Sequence, residues 1–370
     1  MNKVKAAIVG LGRMSWHQGR AWEANPNGEV SAICDVSEER LKRKANLWKI
    51  KKKFTNYDDL LKDPDIDAVD LVLPHALHAE YAIKAAEAGK HILCQKPIAM
   101  NVEDAEAVIS AVKKAGVKYQ IMENYLYYPP HEKAKELIEN GEIGKPITIQ
   151  MMAASGFGGY SKEYYYGLLE EGRDIKVDRW NRGSMFIDDA PHRFATARWF
   201  MSPEAGKYNE IDSVFAFIPN ISERQENPAV VSWMHTDGRL GSCTWARGEC
   251  TKDFTLVRER YGRLIEYIII WGTEGSIWVF NLHSNFLREP PLILYNGKDE
   301  TRTSFDGLND NFDYSFQNAV EQFSDCIIND KQPRIGAEDG KKIIQIGFSA
   351  LKSSIDKKAV KVGAVKNLPW

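Results

Sequence analysis

Three groups of residues in this chain have types and spacings that can do chemistry. The first, Gly10-Leu11-Gly12-Arg13-Met14-Ser15, stands between an apolar run and a helical segment. Two glycines there permit a tight turn and a close backbone approach to a pyrophosphate, which the helix N-terminus that follows would hold through its N–H groups and dipole. Arg13 and Met14 lie inside that turn, and Ser15 replaces a third glycine with another small residue. Asp35 ends the next apolar run, where a carboxylate can accept hydrogen bonds from the adenosine ribose hydroxyls and repel a 2′-phosphate. That combination predicts NAD in preference to NADP. The second group is Lys96-Pro97, directly after a buried strand. At the carboxyl edge of a parallel sheet a desolvated ammonium can stabilise a developing alkoxide. The third is Asp188 with His192, a spacing that puts both on one face of a helix. Imidazole titrates nearest neutrality, as a group exchanging a hydroxyl proton requires. His75 and His78 share no ligand spacing with a further Cys, Asp or Glu, so no metal is predicted.

The elements that must position these residues alternate between two periods in the first third of the chain. Strands are predicted at Val4–Val9, Val30–Cys34, Ala68–Leu73, His91–Cys94 and Val117–Met122. Helices are predicted at Ser15–Ala24, from Ser37 as N-cap, at Ala76–Ala88 before Gly89, and at Val102–Ala115 before Gly116. The near-continuous apolar character of Ala68–Leu73 marks a strand buried on both faces, and the rhythm argues for parallel strands joined by right-handed crossovers. After residue 124 the text changes. Pro129–Asn140 reads as one more helix, followed mostly by strands to about residue 300, and helices return at Tyr314–Asn329 and Glu338–Ser353. The predicted fold is α/β: a Rossmann dinucleotide-binding domain over residues 1–124 and an α+β domain with a large, mainly antiparallel open sheet over 125–370, whose terminal helices can pack back on the first domain.

Composition narrows the setting. The chain has 370 residues, and 49 Lys+Arg against 51 Asp+Glu leave a net charge of −2, which disfavours a nucleic-acid or polybasic membrane role. Hydrophobic residues at 44% and charged residues at 27% exclude a largely disordered chain. The opening stretch is too short and wrongly flanked for a signal peptide, and no apolar window is long enough for a membrane span. Five cysteines without a C-x-x-C pair signal neither disulfides nor zinc. A cytoplasmic protein with free, buried thiols is predicted.

Several separated motifs carry a resemblance. Pro74-His75-Ala76-Leu77-His78, Glu87 through Pro97, Asn124-Tyr125 to Pro129, Gly141-Glu142-Ile143-Gly144, Asp188-Asp189-Ala190-Pro191-His192 and Ala337-Glu338-Asp339-Gly340 occur in an order that resembles the Gfo/Idh/MocA family of NAD(P)-dependent oxidoreductases. The resemblance runs from about residue 4 to 362. It implies an enzyme that oxidises or reduces a hydroxyl of a sugar, sugar derivative or inositol, and a homo-oligomer formed through the exposed face of the C-terminal sheet. It implies cofactor contacts at Leu73, Pro74, His75, His78, Gln95, Lys96 and Asn124, with Lys96 beside the nicotinamide on the reacting oxygen. His192 then acts as acid/base and Asp188 orients it or the substrate. Gln95 departs from the family glutamate, and Asp189, Ala190 and Ala195 depart from an apolar residue, a glycine and an aspartate, which implies a changed pocket shape. Tyr125 and its neighbours stand where many relatives carry arginine, against an acidic sugar.

Aromatic residues are abundant, with Tyr 15, Phe 15 and Trp 10. Ser155–Gly167 holds Phe157, Tyr160, Tyr164, Tyr165 and Tyr166 among glycines. Such rings stack on sugar faces while their polar atoms bind hydroxyls. With Arg179 and Trp180 the segment is expected to form either a lid admitting glycosides with a bulky or aromatic aglycone, or a subunit contact. The expected reaction is oxidation of a secondary ring hydroxyl, such as C3 of a glucoside, to a keto-sugar. An NAD-dependent glycosidase working by transient oxidation and elimination, an inositol dehydrogenase, and a non-enzymatic sensor of NAD or sugar are the alternatives.

Overall fold

The computed structural model describes residues 3–155, 185–219, 228–247, 265–280 and 289–368. The chain divides into two units: Met1–Tyr128 with Asp313–Gln345, and Pro129–Phe312 with Ile346–Trp370.

The first unit is built on six parallel strands, β1 (Val4–Val9), β2 (Gly28–Cys34), β3 (Lys52–Phe54), β4 (Ala68–Leu71), β5 (His91–Gln95) and β6 (Tyr119–Met122), in the order β3-β2-β1-β4-β5-β6. Helices α1 (Ser15–Ala24), α2 (Glu38–Trp48), α3 (Tyr57–Leu61), α4 (His78–Glu87) and α5 (Val102–Ala115) connect them. Local chemistry explains their ends. Ser37 caps α2 by accepting the N–H of Arg40, and Asn101 caps α5 by accepting that of Asp104 at 2.7 Å. Gly116 closes α5 in the left-handed region at φ 68°. Strand β3 escapes the sequence pattern because Lys52-Lys53-Phe54 lies on the sheet edge with both lysines exposed, where no apolar alternation is required. Helix α9 (Asp313–Ile328) packs on α1, with Phe323 edge-on to Trp22.

One carboxylate sits inside this sandwich. The register aligns Ile8, Asp70, Leu93 and Gln120 across β1, β4, β5 and β6. Asp70 is fully buried; Trp22 Nε1 donates to its Oδ2 at 2.9 Å, and its Oδ1 has no partner among the described residues. Burial pushes its carboxyl up to about 7 against the opposing Trp22 hydrogen bond. The folded protein therefore binds a proton that the unfolded chain releases near pH 4. Stability from this group is greatest below about pH 4, falls as pH rises towards 7 and is flat above it, a span of roughly 4 kcal/mol. Asp70→Asn keeps the acceptor for Trp22 and removes the titration. In urea unfolding followed from pH 4 to 8, the variant is expected to match the parent in acid and exceed it increasingly towards neutrality; a difference independent of pH would contradict the assignment.

In the second unit, α6 (Pro129–Glu139) leads to β7 (Pro146–Ser155), then to the short helix α7 (Met185–Asp188) and α8 (Ala190–Phe200). Strands β8 (Ile211–Phe217), β9 (Ala229–His235), β10 (Leu240–Arg247), β11 (Ile265–Gly272), β12 (Gly275–Phe280), β13 (Leu292–Asn296), β14 (Thr301–Ser304) and β15 (Val360–Lys361) follow, the last after helix α10 (Ala337–Asp356). The nine-stranded order is β14-β13-β12-β11-β7-β10-β9-β8-β15, antiparallel except for the β7–β10 pair. Strict alternation along β9 buries Ala229, Val231, Trp233 and His235 and leaves Val230, Ser232 and Met234 outside. The inner face receives α8: Phe194 meets Trp233 and Trp245 edge-on, at ring-centroid separations of 5.9 and 6.4 Å. Part of the aromatic excess is thus core that seats this helix. Among the described residues the four cysteines Cys34, Cys94, Cys243 and Cys326 are buried and free, and no helix is long and apolar enough to cross a membrane.

Candidate active site

The turn after β1 fits a dinucleotide. Gly10 has φ 92°, and a Cβ there would strike the carbonyl of Val72, so only glycine serves. At Gly12 a Cβ would find nothing within 4 Å, the open approach that a phosphate needs. Helix α1 begins next to it with no side-chain cap at Met14 and no acidic residue in its first turn, leaving its positive end uncompensated. Ser15 is buried against the turn, its hydroxyl donating to the Gly12 carbonyl at 2.6 Å.

Asp35 is engaged within the protein. Its Oδ2 accepts the N–H of Leu11 at 2.8 Å and Arg40 Nε at 3.1 Å, while Oδ1 accepts the N–H of Ser37 and Arg40 Nη2, each at 2.8 Å. A carboxylate offers about four lone-pair positions, and all are taken. Burial alone would raise its pKa, but Arg40 and the two backbone donors outweigh it and hold the carboxyl below its ordinary value. In this structure Asp35 anchors the glycine turn and Arg40 rather than presenting free oxygens to a ribose. Arg40 itself was not singled out by the sequence, although it stands one turn into α2.

At the carboxyl ends of β4 and β5 lie Leu73, Pro74, His75, Gln95 and Lys96. Lys96 is half-buried, and the Lys96–Pro97 peptide is cis. Gln95 is buried, and its Nε2 has no partner among the described residues, a donor suited to a cofactor hydroxyl. His78 bridges two strand ends. It is fully buried at the start of α4, with Nδ1 2.6 Å from the Pro97 carbonyl and Nε2 2.9 Å from the Leu73 carbonyl. Asn124 is also buried and gives an amide N–H to Ser315 of α9 at 2.8 Å, a tie within the first unit. Tyr125 is buried beside it in a short 3-10 turn.

In the second unit Asp188 and His192 are half-buried, but they do not share one continuous helix. Asp188 ends α7 and His192 stands in the first turn of α8. Pro191 is the reason: it lacks an N–H and its ring would crowd the preceding turn, so the helix restarts at Ala190. Asp189 between them keeps the right-handed helical conformation, at φ −96° and ψ −42°.

What holds α8 is a buried polar frame that sequence reasoning missed. Asp189 Oδ2 accepts Trp245 Nε1 at 2.7 Å, and Arg193 Nη2 lies 3.6 Å from Asp189 Oδ1 and 2.5 Å from Glu266 Oε1. Arg193 and Glu266 are 1% and 2% exposed, so water cannot substitute for either partner. Asp189 is a member of this frame. At the far end Lys135 Nζ donates to the carbonyls of Trp199 and Ser202, satisfying the last turn of α8. The Asp189/Arg193 spacing was the one available signal; Glu266 and Trp245 arrive from distant strands. Tyr160, Tyr164, Tyr165, Tyr166, Arg179 and Trp180 lie outside the described residues.

A parallel sheet ordered 3-2-1-4-5-6, with a glycine turn opening onto a helix N-terminus, defines a Rossmann-type dinucleotide-binding oxidoreductase architecture. Residues 4–123 match the oxidoreductase family with the NAD-binding Rossmann fold, and residues 131–278 match the GFO/IDH/MocA C-terminal domain; the chain belongs to the Gfo/Idh/MocA family. It is 27% identical over 364 residues to a myo-inositol 2-dehydrogenase of Thermotoga maritima, covering 98% of this chain and 99% of that one. It is also 27% identical over 358 residues to an NAD+-dependent scyllo-inositol 2-dehydrogenase of Bacillus subtilis, covering 95% and 94%. A levoglucosan dehydrogenase solved with NADH has the same fold, with a TM-score of 0.78 at 22% identity over 98% of this chain and 100% of that one. The protein is an NAD-dependent dehydrogenase.

Proposed function

We propose that the protein oxidises a secondary ring hydroxyl of a neutral sugar, glycoside or cyclic polyol to the ketone. Lys96 at the end of β5, combined with His192 opening α8 in a chain of this family, carries the reading. The bound cofactor supplies the hydride acceptor at C4 of its nicotinamide. His192 removes the hydroxyl proton, Lys96 stabilises the oxyanion that develops, and Asp188 sets the imidazole's orientation. The reverse reaction uses the same groups. Gly10 and Gly12 admit the pyrophosphate, with Arg13 and Met14 at the helix end; Leu73, Pro74, His75 and Gln95 border the nicotinamide ribose. Inositol dehydrogenases among the relatives support a ring carbinol as substrate. The aromatic sequence of Ser155–Gly167 favours a glucoside, at C3, with a bulky or aromatic aglycone.

Mass spectrometry of nucleotide released from purified protein, followed by a panel of inositols, free sugars and aryl glycosides read by NADH formation and product mass, tests the proposal. NAD and a keto-sugar product are expected. Net cleavage of the glycoside without accumulated NADH or ketone would replace it with a glycosidase, and binding without turnover with a sensor.

A second copy of the chain is the proposed partner of the outer sheet face. Register places Ser213, Met234, Leu240, Thr148, Trp271, Ser276 and Tyr295 in one row across seven strands without an intervening charge. Met234, Leu240, Trp271 and Tyr295 are exposed there, and a broad apolar row of this kind suits an isologous contact. Met234→Lys with Trp271→Glu is expected to lower the mass measured by light scattering to that of one chain; an unchanged mass would rule this face out.

A further inference from the structure

We propose that His78 is a positioning residue that couples the seating of the cofactor-side loop after β4 to the placement of Lys96. The inference rests on the assignment of Lys96 to the reacting oxygen. Its basis is the bridge already described: one fully buried ring reaches the carbonyl of Leu73 with Nε2 and that of Pro97 with Nδ1. Leu73 follows β4, Pro97 directly follows Lys96, and β4 and β5 are neighbouring parallel strands. The ring therefore spans the two adjacent strand ends from which Leu73, Pro74, His75, Gln95 and Lys96 emerge.

An imidazole is rigid, and its two nitrogens lie on opposite edges at a set separation. A shift of either loop by an ångström breaks one contact, so neither loop moves independently of the other. Both partners are acceptors: a neutral ring donates to one of them, and only the imidazolium donates to both. The His75 ring closes one side with a centroid separation of 5.7 Å, and Lys96 is the charged group whose field reaches the ring. Burial lowers the affinity of His78 for its second proton, opposed by the two carbonyls. The effect of this arrangement passes through the two backbone carbonyls to the residues beside them.

An asparagine amide can donate from the position of Nδ1 to the Pro97 carbonyl and a glutamine amide from that of Nε2 to the Leu73 carbonyl, whichever nitrogen carries the proton in the parent, which makes the two contacts separable. His78→Asn, keeping the bond to Pro97, is expected to leave kcat near the parent value and raise KM for NAD+. His78→Gln, keeping the bond to Leu73, is expected to leave KM for NAD+ unchanged and lower kcat by up to about 10²-fold, the cost of a reacting group misplaced by an ångström. Parallel changes in both parameters for both variants, or no change in either, would overturn the coupling. If either variant unfolds, ¹⁵N-imidazole spectra of the parent protein decide: NAD+ must shift the His78 nitrogens, and unmoved resonances refute the proposal. Lys96→Met separates the two ideas. A Lys96 variant that keeps full kcat refutes the role of Lys96, whereas an inactive Lys96 variant beside indifferent His78 variants refutes the coupling alone.

Discussion

His192→Ala is expected to lower kcat at neutral pH by about 10²- to 10⁴-fold, the usual contribution of a positioned general base. The imidazole stands half-buried in the first turn of α8, between the Asp189–Trp245 anchor and the packed ring of Phe194, and an imidazole is a side chain suited to exchanging a hydroxyl proton. Its backbone is held as well: its N–H donates to Asp189 O, and its carbonyl accepts the Thr196 hydroxyl at 2.7 Å. The loss should appear in kcat with the best substrate of the panel, while NAD+ affinity, measured by fluorescence, stays at the parent value because the glycine turn belongs to the other unit. Full activity in His192→Ala at pH 7 would remove the residue from the mechanism.

Glu266→Gln is expected to cost about 3–5 kcal/mol of stability, the range for removing one partner of a buried ion pair. Arg193 has no solvent to turn to, and the carboxylate of Asp189 is bonded to Trp245 Nε1 and lies farther away than Glu266. Replacing both members, Arg193→Met with Glu266→Met, removes the uncompensated charge and should recover most of the loss, a non-additivity that a double-mutant cycle in urea reads directly. Because the pair ties α8 to β11, Glu266→Gln should also lower kcat without altering NAD+ affinity. A single variant as stable as the parent would show that the pair does not fasten the helix.

Much of the scaffold was legible because its signals are local. Ser37, Asn101, Gly89 and Gly116 sit where capping chemistry requires them, and the apolar run at β4 announces a strand covered on both faces. Where the reading failed, a long-range contact or a chain break intervened. Lys52-Lys53-Phe54 carries no apolar pattern and becomes a strand because β2 offers it an edge. Asp188 and His192 have helical spacing, yet Pro191 divides them between two helices.

The sequence by itself determined the class of fold, because hydrophobic period, glycine placement and side-chain type are properties of neighbouring residues, and it supplied the groups proposed for the chemistry. Only the tertiary structure decided what each polar group is free to do. Asp35 spends its carboxylate on Leu11, Ser37 and Arg40; His78 turns both ring nitrogens to two strand-end carbonyls; burial between α1 and the sheet raises the Asp70 carboxyl to about 7. Burial makes an unsatisfied polar group costly, so each takes whatever partner the fold brings within reach. Those partners come from elements that sequence spacing alone does not bring together.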